Sequence, residues 1–178
     1  MQILKLDKKT FETLDFRLFY AIFELMIRCR HKLFDDEYFN TEKPYMQRVY
    51  EIIDIHLPYF WLFLDKNTLK PCGFCYLYDV SPSKNRIHSA NATICFDKSV
   101  YGKRAQNTAK RLLNELFQAY KIYKIKAECY SDNLLIPNFL KKLGFRMEAS
   151  LKNEVISEGV PKNLDIWSIF NPLFCEAN

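Results

Sequence analysis

Glycine is scarce in this chain, four residues in 178. A sequence that sparing with glycine and carrying 15 Phe and 11 Tyr is neither low-complexity nor disordered, because it has ample apolar surface to bury. No apolar run approaches the length of a membrane span, and the N-terminus MQILKLDKK lacks the sustained apolar stretch of a cleavable signal. These two absences predict a soluble, cytoplasmic protein that needs no membrane partner. Internal repeats and linkers are also missing. The length fits one ordinary domain over residues 1–178, long enough to bury a core without disulfides or metals.

A paired cysteine framework is the next absence. The six cysteines, at 29, 72, 75, 95, 129 and 175, stand mostly inside apolar runs, which reads as reduced, buried small hydrophobes. Cys72-Gly73-Phe74-Cys75 has the spacing of a redox or zinc half-site. It falls in an expected strand, however, where positions three apart face opposite ways, and no second pair completes a zinc site. No metal is therefore expected. The net charge of +5 comes from Lys and Arg spread along the chain, with clusters at Arg28 to Lys32 and Lys121 to Lys126. Such a balance suits a polyanionic cofactor or an acidic partner and equally suits solvated helix faces, and no nucleic-acid motif accompanies it.

In chain order, Gln2 to Leu6 alternates like a strand. Thr10 is an N-cap residue ahead of a helix over Phe11 to Cys29, whose stripe is Leu14, Leu18, Ile22, Phe23, Leu25 and Met26. His31 to Pro44 is a polar, acidic and aromatic loop of the kind that carries function. Tyr45 to Ile55 is a second helix with Met46, Val49, Ile52 and Ile53 inward, and Pro58 closes it. The period then changes to β. Tyr59 to Leu64, Gly73 to Val80 and Ile87 to Phe96 are separated by the turn compositions Asp65-Lys66-Asn67 and Ser81 to Asn85, an antiparallel meander.

The decisive stretch is Ile94 to Phe117, ICFDKSVYGKRAQNTAKRLLNELF. A short apolar strand ends at Asp97-Lys98-Ser99. After Gly102, a stripe of Ala105, Ala109, Leu112, Leu113, Leu116, Phe117 and Tyr120 marks an amphipathic helix. A strand feeding a helix through a glycine turn leaves the helix's first N–H groups unpaired and pointing outward, so the junction can hold an anion, most naturally phosphate. An ordinary strand-to-helix connection has the same outline. Lys121 to Tyr130 is the next strand, parallel to Ile87 to Phe96 because a helix intervenes. Leu134 to Leu143 is a short helix beginning near Pro137 and ending at Gly144. Phe145 to Val155 and Leu164 to Phe170 pair as a hairpin around Gly159-Val160-Pro161-Lys162. The sum is an α+β domain with a mixed, mostly antiparallel central sheet and about four flanking helices.

Three stretches, ICFDKSVYGKRAQNTAKRLL, the Ser131-Asp132-Asn133 turn, and FLKKLGFRMEASL, together resemble the GNAT superfamily of acyl-CoA N-acyltransferases. The similarity is greatest to the branch of ribosomal-protein N-terminal and spermidine acetyltransferases, and it spans roughly residues 88 to 170. The resemblance implies a sheet whose parallel pair splays and a cofactor, acetyl-CoA or another acyl-CoA. Its pantetheine arm would lie along the backbone of Ile94, Cys95 and Phe96. Its pyrophosphate would lie in the turn Gly102, Lys103, Arg104 and Ala105, with Asn133 as a further contact. The chain departs from the family pattern at three positions. Arg104 stands where a second glycine or alanine is usual, and either narrows the turn or pairs with phosphate. Ser99 replaces a frequent Gln or Arg, and Leu140 falls where many relatives place a tyrosine that protonates the leaving thiolate.

Acyl transfer to an amine needs an uncharged nucleophile, donors for the developing oxyanion and a proton path away from nitrogen. Strand N–H groups near Cys95 and Phe96 can supply the donor. His88, with Glu37 and Asp79 behind it, is the candidate base, and Tyr130 the candidate acid. Each also reads as an ordinary surface, turn or packing residue. Cys95 and Cys129 as acyl carriers find no nearby base. Two functions are open: direct acetyl transfer to a primary amine, on a small molecule or a polypeptide N-terminus, or a catalytically silent GNAT-fold module in an assembly. Nucleic-acid binding through the basic face is a weaker third. Oligomeric state is not encoded in any motif.

Overall fold

The computed structural model describes residues 1–29, 45–157 and 159–174. The expected loop His31 to Pro44, and with it Glu37, lies outside those residues, as does Cys175. The elements are β1 (Gln2–Leu6), α1 (Lys8–Glu12), α2 (Phe16–Cys29), α3 (Tyr45–Ile55), β2 (Phe60–Leu64), β3 (Pro71–Ser83), β4 (Arg86–Phe96), a 3-10 turn (Lys98–Val100), α4 (Lys103–Ala119), β5 (Lys124–Tyr130), α5 (Ile136–Leu143), β6 (Arg146–Ser157), β7 (Val160–Phe170) and a closing 3-10 turn (Pro172–Phe174). The seven strands form one mixed sheet in the hydrogen-bonded order β1-β2-β3-β4-β5-β7-β6. Pairing is antiparallel at β1–β2, β2–β3, β5–β7 and β6–β7 and parallel at β4–β5.

Several boundaries differ from the sequence reading, among them the strand expected from Lys121, which starts at Lys124. Thr10 is not the N-cap. Asp7 is, its carboxylate accepting from the Thr10 N–H at 2.7 Å, and the helix expected from Phe11 is broken between Glu12 and Phe16. The strand before Lys84 continues through Ser83, leaving only Lys84–Asn85 as the turn. In the last hairpin Val160, Pro161 and Lys162 belong to β7, with Pro161 opposite Ile156. Proline is tolerated in a strand where its missing N–H is not needed for the ladder.

Contacts divide the chain into two compact units. The first comprises Met1–Tyr76 and Ile94–Ala105. Its centre is β2, in which all five residues are buried. Trp61, Phe60 and Phe63 are 0 % exposed, and each fully buried side chain of this size stabilises the fold by roughly 1.5–3 kcal/mol. Ile22, Leu25 and Met26 of α2 and Val49, Ile52 and Ile53 of α3 are buried as their helical spacing predicts. Gly73 on β3 marks a close approach. A Cβ there would meet the Cys95 carbonyl oxygen at 2.7 Å, the Phe63 ring at 2.8 Å and the Phe96 ring at 2.9 Å, and those two rings are themselves stacked at 4.9 Å.

The second unit comprises Leu77–Thr93 and Gln106–Asn178. Ala109, Leu112, Leu116 and Phe117 of α4, Ile125, Ala127 and Cys129 of β5, Leu140 and Leu143 of α5, and Trp167 of β7 are buried. Asn171, 0 % exposed, is a buried polar group with its partners supplied. Its amide donates to the Phe117 and Ile122 carbonyls at 3.1 and 3.0 Å, and its oxygen accepts from the Leu173 N–H. α5 stops at Gly144, which adopts a left-handed φ of 98°. No helix among the described residues is long and apolar enough to cross a membrane.

Gly73→Ala tests the close approach. Because one of the blocking atoms is a backbone oxygen that cannot swing aside, the methyl is expected to cost about 1–3 kcal/mol. This would be read as a lower urea midpoint at constant m-value. An unchanged midpoint would show that the two strands can separate freely there.

Candidate functional site

In the first unit, the end of β4 leads into the glycine turn. Ile94 is half-buried, while Cys95 and Phe96 are buried. Asp97 then caps the 3-10 turn: its Oδ1 accepts from the Ser99 N–H at 3.0 Å and from the Ser99 hydroxyl at 2.7 Å. Its Oδ2 accepts from Arg28 Nε at 3.3 Å. These contacts, led by the Ser99 N–H, hold the Asp97 carboxyl below its ordinary range. Gly102 has φ 84°, and nothing lies within 4 Å of where its Cβ would be. The backbone is therefore open to a ligand at this point, and only glycine takes that conformation without strain.

α4 starts at Lys103 with Lys103 and Arg104 both exposed and no acidic residue in its first turn. Ala105 turns inward and is 3 % exposed. The positive end of a helix dipole disfavours cations by roughly 0.3–1 kcal/mol each. Two of them at the first turn of a helix, the end whose leading N–H groups lack intrahelical partners, make a site whose chemistry asks for an anion. Part of that demand is met internally. Arg104 Nη2 donates to Asp65 Oδ2 at 2.7 Å, and the cleft of about 290 Å³ beside the turn is lined by Arg28, Lys70, Arg104, Asp65, Asp97 and Ser99, among others. Asp65 Oδ1 accepts from the Asn67 and Thr68 N–H groups at 3.0 and 3.2 Å. The Arg104 bond first, and then these two, bring its carboxyl from 3.8 down to about 2.

In the second unit, β4 and β5 are paired at three positions, Ser89↔Lys124, Ala90↔Ile125 and Asn91↔Lys126. The parallel ladder stops there although β5 runs on to Tyr130. Paired residues share a face and so do residues two apart, so Asn91, Lys126, Glu128 and Tyr130 lie on one side of the sheet. Glu128 is exposed and accepts from the Tyr78 hydroxyl at 3.3 Å. Asn91, 4 % exposed, donates from Nδ2 to Asp79 Oδ2 at 3.0 Å, while its Oδ1 is buried with no hydrogen-bond partner. Asp79 itself has the positive φ of 47°. Glu128 was not singled out from sequence, because an acid on the polar side of an alternating strand looks like any solvated residue.

The other expected residues are placed as follows. His88 is exposed and stacks on Tyr123 at 5.5 Å, just before the paired stretch of β4 and so on its closed side. Tyr130 is half-buried with Lys162 Nζ 5.5 Å above its ring. Asn133 accepts at Oδ1 from the Leu135 and Ile136 N–H groups, both at 3.0 Å, so its side-chain oxygen shapes the turn ahead of α5. Leu140 is 2 % exposed. Cys72 and Cys75 sit buried in β3, and burial raises both thiols. The Cys129 thiol is pushed up to about 11, chiefly by burial and then by Asp165. Such thiols are inert as nucleophiles near neutrality. Among the described residues no group of three or more His, Cys, Asp and Glu side chains is placed to hold a metal ion.

No family model matches the sequence, and no curated protein matches it by sequence. Solved structures do match in three dimensions. A ribosomal-protein-S5-alanine acetyltransferase from Vibrio fischeri superposes with TM-score 0.72 at 19 % identity, over 96 % of this chain and 93 % of that one. The spermidine N-acetyltransferase from Vibrio cholerae in complex with CoA and spermine gives 0.71 at 15 % identity, over 96 % and 95 %. An acetyltransferase of the GNAT family from Bacillus anthracis gives 0.65 at 14 % identity, over 95 % and 93 %. The chain has the GNAT fold. The branch that the three sequence stretches resemble, ribosomal-protein and spermidine acetyltransferases, recurs among these neighbours.

A carbon-detected NMR titration of the side-chain carboxyls tests the Asp65–Arg104 pair. Because the folded carboxyl titrates near 2 and the unfolded one near 3.8, the pair's contribution to stability is complete above the unfolded value and is lost as pH falls toward the folded one. Asp65 is expected to titrate at about 2 in the native protein and to move up toward the ordinary carboxylate range in Arg104→Gln. An unchanged midpoint in the variant would contradict the pairing.

Proposed function

We propose that the chain is an acyl-CoA-dependent N-acetyltransferase that transfers an acetyl group directly to an amine. The observation that carries this reading is the turn at Gly102, an open left-handed glycine followed by a helix whose first turn is cationic, on a fold shared with an acetyltransferase crystallised with CoA. The residues fit the cofactor. The N–H groups of Gly102, Lys103, Arg104 and Ala105 suit the pyrophosphate, with the Lys103 and Arg104 side chains adding charge-assisted contacts. The backbone of Ile94, Cys95 and Phe96, in the part of β4 beyond its pairing with β5, suits the amide-bearing pantetheine arm, and Asn133 remains a candidate contact through its amide nitrogen. Acetyl-CoA would supply the activated acyl thioester.

The chain's own part in the chemistry is proton removal and orientation. Glu128 is the base favoured by geometry, since it stands on the open face two residues past the last β4–β5 pair and is held by the Tyr78 hydroxyl. It would take the proton that the amine must lose on becoming an amide. Asp79, fixed by Asn91, adds negative charge that suits a cationic amine. His88 and Tyr130 remain as further candidates, and Glu37 as one from the segment outside the described residues. The acceptor we infer is a primary amine, on a polyamine-like molecule or a polypeptide N-terminus. The neighbours include a spermidine and a ribosomal-protein acetyltransferase.

A second reading, a silent GNAT-fold module, is favoured by Leu140, whose buried side chain offers no proton for a leaving thiolate. Thermal melting with acetyl-CoA and turnover with amine acceptors separate the two. A ligand bound only to the folded state stabilises it by about 2.7 kcal/mol at a hundredfold excess over its Kd. An enzyme shows that rise and turns over. A silent module shows the rise alone, and no rise at millimolar cofactor contradicts the proposal. Gly102→Val is expected to abolish the rise while the protein stays folded. Glu128→Gln should retain cofactor binding and lower turnover by about 10²–10⁴-fold, with loss of the acid limb of the pH–rate profile. An unchanged profile would remove Glu128 from the role.

A further inference from the structure

We propose that Asp65 is a built-in competitor for the phosphate site: it pairs with Arg104, and the phosphate groups of the ligand must take the guanidinium from it. This rests on the cofactor reading above and concerns how tightly that same turn binds.

The division of labour within two carboxylates supports it. Asp65 uses Oδ1 for the Asn67 and Thr68 N–H groups of its own turn and offers Oδ2 to Arg104. Asp97 does the same with other partners, Oδ1 to Ser99 and Oδ2 to Arg28. In each case one oxygen builds the turn and the other restrains an arginine at the cleft. The turn that carries Asp65 is therefore formed by contacts that do not involve Arg104, and releasing the arginine leaves those contacts in place.

The electrostatics favour exchange. Arg104 is the second residue of α4, at the end of the helix where its charge is disfavoured. Asp65 relieves this with one oxygen at 2.7 Å, in a pair whose arginine side chain is 55 % exposed, and exposed pairs are weak. A pyrophosphate in the Gly102 turn would meet the same guanidinium with several oxygens and, unlike Asp65, would also take the helix N–H groups. The pair with Asp65 thus meets part of the turn's demand for an anion without matching what a phosphate offers. It also lowers the apparent affinity of the ligand, because the competent arginine is engaged in the free state and because Asp65 itself repels an incoming phosphate.

Calorimetric titration with coenzyme A, which needs no turnover, tests it on wild type, Asp65→Asn, Arg104→Gln and the double variant. Asn keeps an oxygen for the Asn67 and Thr68 N–H groups, and Asp65→Ser, with a hydroxyl acceptor, serves if the first variant melts early. The expected result is tighter binding in Asp65→Asn, by about three- to tenfold at low salt given the weakness of exposed pairs. Arg104→Gln should bind more weakly, and the gain from Asp65→Asn should shrink in the Arg104→Gln background. In the native protein, saturation with coenzyme A should raise the Asp65 midpoint as the arginine leaves. Equal or weaker binding in both Asp65 variants overturns the proposal and makes Asp65 a clamp that positions Arg104 for the ligand or a bystander. Absence of binding in the wild type would instead overturn the cofactor reading itself.

Discussion

β4 is hydrogen-bonded to β5 at Ser89, Ala90 and Asn91 and then parts from it, and most of what the molecule offers chemically depends on that early end. Backbone N–H and C=O groups in a sheet must be paired or solvated, and β5 pairs with β4 only at Ser89, Ala90 and Asn91. Beyond that pairing β5 carries the exposed Glu128, held by Tyr78, and Asn91 on the same side of the sheet holds Asp79. On the β4 side, the strand runs on to the glycine turn.

The turn adds electrostatics to this geometry. An open left-handed glycine and two cations at a helix N-terminus are each tolerable alone. Together they are locally unfavourable unless an anion is present, and the protein supplies a weak one of its own in Asp65. The cleft consequently sets three cations, Arg28, Lys70 and Arg104, against two aspartates, and Arg28 and Arg104 are each restrained by the second oxygen of a turn-forming aspartate.

Much of the scaffold was legible in the sequence because it rests on local periodicity. The stripes of α2, α3 and α4, the alternation of the strands and the stop at Gly144 all depend on neighbours within a few residues. Errors came where two residues compete for one local role. Asp7 and Thr10 are both good caps, and the chain uses the earlier one. Gly159-Val160-Pro161-Lys162 reads as a turn, yet pairing across the hairpin draws Val160 to Lys162 into β7. The site was only half legible. The candidate anion turn follows from its own glycine and helix, whereas Asp65, a partner of Arg104, lies 39 residues away in an ordinary Asp-Lys-Asn turn. Glu128 was invisible for a different reason: its position on β5 is ordinary, and only the point at which β4 leaves β5, together with the reach of Tyr78, gives it a role.

Amide chemical-shift mapping by NMR during titration with coenzyme A tests the central claim, that the turn at Gly102 is an acyl-CoA phosphate site, most directly. The account predicts saturable shifts centred on the Gly102, Lys103, Arg104 and Ala105 amides and extending along Ile94, Cys95 and Phe96. Absence of shifts at millimolar ligand, or shifts confined to other surfaces, would contradict it.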